Sequence, residues 1–328
     1  MFEVLRLTRR HRLGLLILAV GIGVVVLGGW YRARSRPDPG PNGWDDLSTA
    51  GVMIRDDRPN PGDLAKADLA AVRPFLAANR PALDRMRIGL ARESVASFED
   101  SQAGLEKLID DLGRIRALSR LTLGLARVEE ADGRILEASR ACRETLALGR
   151  AASQGSLRQG VTLGSVLQSQ AVDQLRKLRD RLPADECRLI LREVEALERR
   201  RGDVDAVGSR LDRWVEGSYS PWQRMMLRWS GMRQKGRATE MARAKKFDDR
   251  GGRKVRFFLV ELAVHAHFLD RKTWPRSVES LVPAYLASVP IDRATGKPIE
   301  YPRSPAGDLT DDLGAIARPD GEVSRPSP

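Results

Sequence analysis

Residues 102–130 read QAGLEKLIDDLGRIRALSRLTLGLARVEE. Leu105, Leu108, Ile109, Leu112 and Ile115 recur at i, i+3, i+4, i+7 and i+10, which puts them on one face of a 3.6-residue helix. The same period continues on either side. It predicts helices over roughly 63–79, 81–100, 102–130, 133–153, 156–181, 185–201 and 203–217. Breaks fall at Asp132-Gly133, at Gly155 and at Pro183-Ala184-Asp185. Asp63 is the expected N-cap of the first helix. Asp110 with Arg114, Glu130 with Arg134, Asp173 with Lys177 and Glu195 with Arg199 stand four apart, as helix-surface ion pairs do. No run of alternating β-branched residues competes, so residues 63–217 are expected to form an all-α domain, either an antiparallel bundle or an irregular helical-repeat array. Residues 131–138 look like the turn of a tetratricopeptide-type unit, but no second copy follows at about 34 residues, so a regular array is not expected.

Upstream, Leu13–Tyr31 is a stretch of 19 residues without a charge. At about 1.5 Å per residue it spans a bilayer core, and only a helix hides its own backbone polar groups in lipid. Arg6, Arg9, Arg10 and Arg12 precede it; Arg32, Arg34 and Arg36 follow; Trp30 and Tyr31 sit where aromatic rings favour the interface. Residues 1–12 thus read as a basic flank and 13–31 as an uncleaved signal-anchor, with no A-x-A site after it. Four basic residues before the span and three after it favour a single-pass chain whose large C-terminal domain lies outside the cytoplasm. Residues 32–62, rich in Pro and Gly, read as a tether.

The chain carries a net charge of +12. Residues 1–36 and 199–256 hold more than all of it, which excludes a uniformly basic nucleic-acid coat. Within 218–256, Ser220-Pro221-Trp222-Gln223 has the form of a capping box with Pro at the first helical position. In the helix that follows, Trp222, Met225, Met226, Trp229 and Met232 share one face, with Arg224, Arg228 and Lys235 opposite. This basic amphipathic helix has three readings: its stripe packs on the helical domain, it meets anionic lipid or an acidic partner, or it meets nucleic acid if the domain is cytoplasmic. Arg224, Arg228, Lys235, Trp222 and Trp229 are the candidate face for a partner or lipid.

Phe257–Leu269, apolar but for Glu261, His265 and His267, is too short and polar for a second span and reads as a core helix. Glu261 and His265 share a helix face, yet a zinc site normally needs three or four ligands, and no third accompanies them. No phosphate-binding loop, nucleophile elbow or H-E-x-x-H motif occurs. No cofactor, metal or catalytic residue is expected. Cys142 and Cys187 sit in predicted helices and either stay buried thiols or pair if the domain is exported.

Residues 262–303 carry Trp274, Pro275, Leu281, Pro283, Tyr285, Leu286, Pro290, Asp292, Thr295, Gly296, Pro298 and Tyr301. This pattern resembles the C-terminal part of type II secretion pseudopilins and of a looser group of bacterial membrane-anchored helical proteins. The resemblance implies a cap in 257–303: Trp-Pro ending one helix, a short helix over 278–287 capped by Ser277, then a hairpin turning at Ala294–Lys297 with a strand at 299–301. Residues 304–328 read as a polar tail. The pseudopilin leader, its cleavage point and the Glu that follows have no counterpart at Arg9–Leu16. The fold class expected is therefore mainly α: a transmembrane helix, a helical domain, and a small helix-plus-hairpin cap. The function expected is a non-catalytic, membrane-anchored envelope scaffold or protein-interaction protein. The alternatives are a pseudopilin-like part of a secretion apparatus, or a tethered enzyme with an unrecognised acidic site.

Overall fold

The structure, a computed structural model, describes residues 42–55, 67–96, 99–201, 204–293, 295–299 and 301. The span at 13–31, its flank at 1–12, the tail at 304–328 and the proposed cap Asp63 lie outside these residues. Among the described residues, no helix is long and apolar enough to cross a membrane.

The described chain is mainly α. Its helices are α1 (Gly43–Val52), α2 (Leu69–Ala78), α3 (Arg80–Leu90), α4 (Gln102–Ala131), α5 (Ile135–Ser153), α6 (Arg158–Leu178), α7 (Ala184–Arg199), α8 (Asp205–Ser218), α9 (Pro221–Trp229) and α10 (Met232–Arg271). The turns come where glycine allows them: Gly133, Gly155 and Gly231 all take positive φ, which costs glycine little. Successive helices pack side by side, α4 on α5 and α5 on α6, and α10 returns across α6, α7 and α8. The α5–α6 contact is close because both sides lack side chains there. A Cβ on Gly164 would stand 2.3 Å from the Gly149 carbonyl oxygen.

Residues 43–52 are helix rather than part of a tether. Asn42 caps α1 by accepting from the Trp44 N–H at 3.1 Å, and its amide Nδ2–H donates to the Val95 carbonyl at 2.8 Å. Trp44, Leu47 and Ala50, spaced by three, are buried against α4. The Trp44 indole N–H donates to the Asp111 carboxylate at 3.3 Å, and Asp111 also accepts from Ser48 and from Arg114 at 2.7 Å. Local Pro and Gly content suggested a linker; the helix forms because its apolar face has a groove to fill.

The second helix begins at Leu69, capped by Asp68, and the third stops at Leu90 instead of running to 100. The four anticipated i,i+4 ion pairs are replaced by other partners. Arg114 pairs with Asp111, Arg134 with Glu129 and Asp132, Asp173 with Lys254, and Glu195 accepts from the Ala287 N–H at 2.8 Å. A pair worth a few tenths of a kcal/mol yields readily to tertiary contacts.

Two large apolar clusters fill the body, beside a small third one of Val161, Val207 and Ala244. One joins α1–α6; the other joins α4–α7, the C-terminal half of α10 and the segment after it. From Phe258 to Ala266 every residue of α10 is buried, as expected of a helix enclosed by others.

The cap differs from its expected form. The helix over 278–287 is a single 3₁₀ turn, Glu279–Leu281. Pro283 lacks an N–H to continue it and pushes Val282 out of the α region, where φ is −92° and ψ 136°. Among the described residues there is no strand. The expected hairpin is one antiparallel bridge, Ile291 to Pro298, closed by a turn in which the Gly296 N–H donates to the Asp292 carbonyl at 2.7 Å. Pro298 cannot donate to a ladder, which limits the pairing.

Candidate functional site

The capping box at the start of α9 is present in both halves. The Gln223 N–H donates to Ser220 Oγ at 3.3 Å, and the Ser220 N–H donates to Gln223 Oε1 at 2.9 Å. Just before it, α8 is pinned to the body by the Trp214 indole N–H, which donates to the Ser101 carbonyl at 3.1 Å. The fixed end of α8 sets where α9 leaves the body.

No residue of α9 is fully buried. Arg224 and Leu227 are half-buried, and the Arg224 guanidinium donates to the Glu216 carbonyl at 3.1 Å. The apolar side faces out. Trp222 is 64% exposed, Met226 49% and Trp229 83%. The usual surface helix turns its apolar stripe to the core, whereas α9 leaves this one exposed. The stripe is not packed on the helical domain, so the first of the three readings fails. Gly231, at φ 64°, ends the helix, so Met232 and Lys235 belong to α10 and extend the patch rather than sharing one continuous face.

Arg228 and Lys235 form no ion pair among the described residues. Further along α10, Arg237 pairs with Asp212, Arg243 with Glu240 and Lys254 with Asp173, while Lys245 and Lys246 are exposed without an ion pair among the described residues.

The cap motif residues gather around the C-terminal end of α10. Trp274 stacks on Phe268 with ring centroids 4.3 Å apart, and Pro275 follows it out of the helix. The Tyr285 hydroxyl donates to Asp270 at 2.9 Å; Leu281 and Leu286 are fully buried. The Asp292 N–H donates to the Lys297 carbonyl at 2.8 Å. Pro290 accepts from the Ile299 N–H at 2.9 Å, and Tyr301 rests on Phe257. These are packing roles, and Pro283 contributes the chain reversal between Leu281 and Tyr285.

Glu261 and His265 do not meet a third ligand. Both Glu261 oxygens accept from Arg176, at 2.7 and 3.0 Å. Among the described residues no group of three or more His, Cys, Asp and Glu is gathered as a metal site. A cleft of about 410 Å³ lies between α2, α3, α4 and α5. Part of its charged wall is committed, Arg87 to Glu144 at 2.8 Å and Arg134 to Glu129. It presents no nucleophile beside a base.

Sequence reading overlooked one charged cluster. Arg150, Gln168, Glu198, Arg201, Asp248 and Arg256 come together where α5, α6, α7 and α10 meet, and all but Glu198 are nine-tenths or more buried. The available signal was Arg150 itself, four residues after Leu146 and eight after Cys142, on the buried face of α5.

No protein-family model matches the chain, and no curated protein or solved structure matches it.

Proposed function

We propose that this protein is a non-catalytic, membrane-anchored helical scaffold whose body rests on an anionic membrane face through α9. The observation that carries the reading is the outward Trp222/Met226/Trp229 face beside Arg228 and Lys235. Tryptophan and methionine gain from leaving water, and each basic group near an anionic surface adds roughly 1 kcal/mol. A second copy is a poor occupant, because residues 199–256 carry a net +10 and would repel their like. The charge-free stretch 13–31 supports anchoring in the same membrane, and the basic flanks favour an extracytoplasmic body. The pseudopilin-like alternative rests on residues 262–303, and maturation of the N terminus at the membrane segment would favour it.

Flotation of residues 42–328 with vesicles tests the reading. Both large apolar clusters are built from Trp44 onward, so this fragment keeps the whole described body. The fragment should float with phosphatidylglycerol vesicles at low salt, lose binding as salt rises, and stay down with phosphatidylcholine alone. Failure to float with anionic vesicles at low salt would sink the reading.

A further inference from the structure

Arg150 is 5% exposed and has no hydrogen bond or ion pair among the described residues; its Nε and Nη2 are both enclosed without an acceptor. Arg256, 6% exposed, is in a similar state. Its Nη1 donates to Glu198 at 3.3 Å, while its Nε and Nη2 find no acceptor. In the same cluster Arg201 is fully used. It donates to Asp248 Oδ1 at 2.8 Å, to the Asp248 carbonyl at 3.2 Å, to Glu198, and to Gln168 at 3.4 Å. Gly252 makes room for it, since a Cβ there would stand 2.3 Å from Arg201 Nη1.

The cluster therefore holds three guanidinium groups against two carboxylates, Glu198 and Asp248, with Arg293 at its edge 3.9 Å from Asp248. Both acids are bonded to Arg201 or Arg256, and they reach Arg150 only through space. Burial first, then the nearby Arg201 charge, pull the Arg150 guanidinium down to about 10. Burial likewise lowers Arg256. A buried guanidinium without an acceptor is a costly arrangement. Arg150 and Arg256 each keep an Nε and an Nη2 without an acceptor, and such an arginine edge is what pairs with two oxygens of a tetrahedral oxyanion.

We propose that the junction of α5, α6, α7 and α10 is a binding site for a small oxyanion of phosphate type, held by Arg150 and Arg256 and completing the charge balance of the body. None of the residues of this cluster lies on α9, so the site is independent of the α9 surface.

The test is thermal unfolding of the full chain in nonionic detergent, titrated with inorganic phosphate against sodium chloride at equal ionic strength. The expected result is a saturating rise in Tm with phosphate alone. Arg150→Met should abolish that rise and be at least as stable as the parent in chloride, because it removes an uncompensated buried charge. Arg256→Met should abolish the rise as well, and an Arg150→Met chain that does not fold counts as destabilised. Three results would each overturn the site: no response of the parent chain, a response that the variants retain, or an Arg150→Met chain that is destabilised in chloride.

Discussion

Arg176 and Glu261, 85 residues apart in sequence, meet as a two-bonded pair between α6 and α10: Nε to Oε2 at 2.7 Å and Nη2 to Oε1 at 3.0 Å. The carboxylate is 1% exposed while the guanidinium is 28% exposed. The pair lets an acidic residue sit inside the most enclosed stretch of α10, and it ties that helix to the middle of the bundle.

Removing only the cation takes two charge-assisted hydrogen bonds from a buried acid. Arg176→Met is expected to cost about 2–3 kcal/mol in urea unfolding, and Arg176→Met with Glu261→Leu should recover most of that loss. A single-variant cost below about 1 kcal/mol would show that the carboxylate finds water or another partner.

Trp44 offers a comparable test at the other end of the body. It is 2% exposed, and its indole N–H satisfies Asp111. Trp44→Ala should destabilise by about 3–5 kcal/mol. If residues 42–55 were a tether, the same change would leave the urea midpoint unmoved.

How much of this was legible in advance follows from where each energy lies. Helices α4 to α8 were readable because each carries its own apolar period and its own stop, such as Gly133, Gly155 or Pro183. Helix α1 was not. Ten residues among prolines and glycines form a helix only when Trp44 and Leu47 find the face of α4. The capping box of α9 was readable because it is local, spanning Ser220 to Gln223. Which way the helix faces was not, since that depends on how Trp214 and Arg224 fix the chain. The Arg150 cluster is assembled from four helices, so no window of sequence contains it.

The thiols provide a chemical check on the core. Burial, then the Glu130 charge, push the Cys142 thiol from the ordinary value near 9 up to about 12; burial, then Glu186, do the same for Cys187. Both are free thiols. At pH 8 the native protein should react with neither equivalent of Ellman's reagent, and with both in urea. A raised pKa favours the neutral thiol in the folded state. This contribution is complete below pH 9 and is lost as pH climbs through about 12. Rapid native labelling of either thiol would contradict the packing.

Asp132 gives the opposite sign. Hydrogen bonds from Arg73, then from Arg134, hold its carboxyl at about 2, below the ordinary 3.8. Its contribution is present above 3.8 and is lost as pH falls through about 2. In a carboxyl-carbon NMR titration, Arg73→Ala should move the Asp132 midpoint back toward 3.8. An ordinary midpoint in the parent chain would rule out the contact between α2 and the α4–α5 turn.

The account depends most on what α9 touches. Because Cys142 and Cys187 are buried, a Met226→Cys chain can carry one nitroxide at the centre of the exposed face. Electron paramagnetic resonance then compares its accessibility to oxygen and to a water-soluble nickel complex, with and without phosphatidylglycerol vesicles, for residues 42–328. Docking through α9 predicts that oxygen access rises and nickel access falls only when the vesicles are added. Unchanged access to both relaxants, under conditions where the fragment floats with the vesicles, would contradict it.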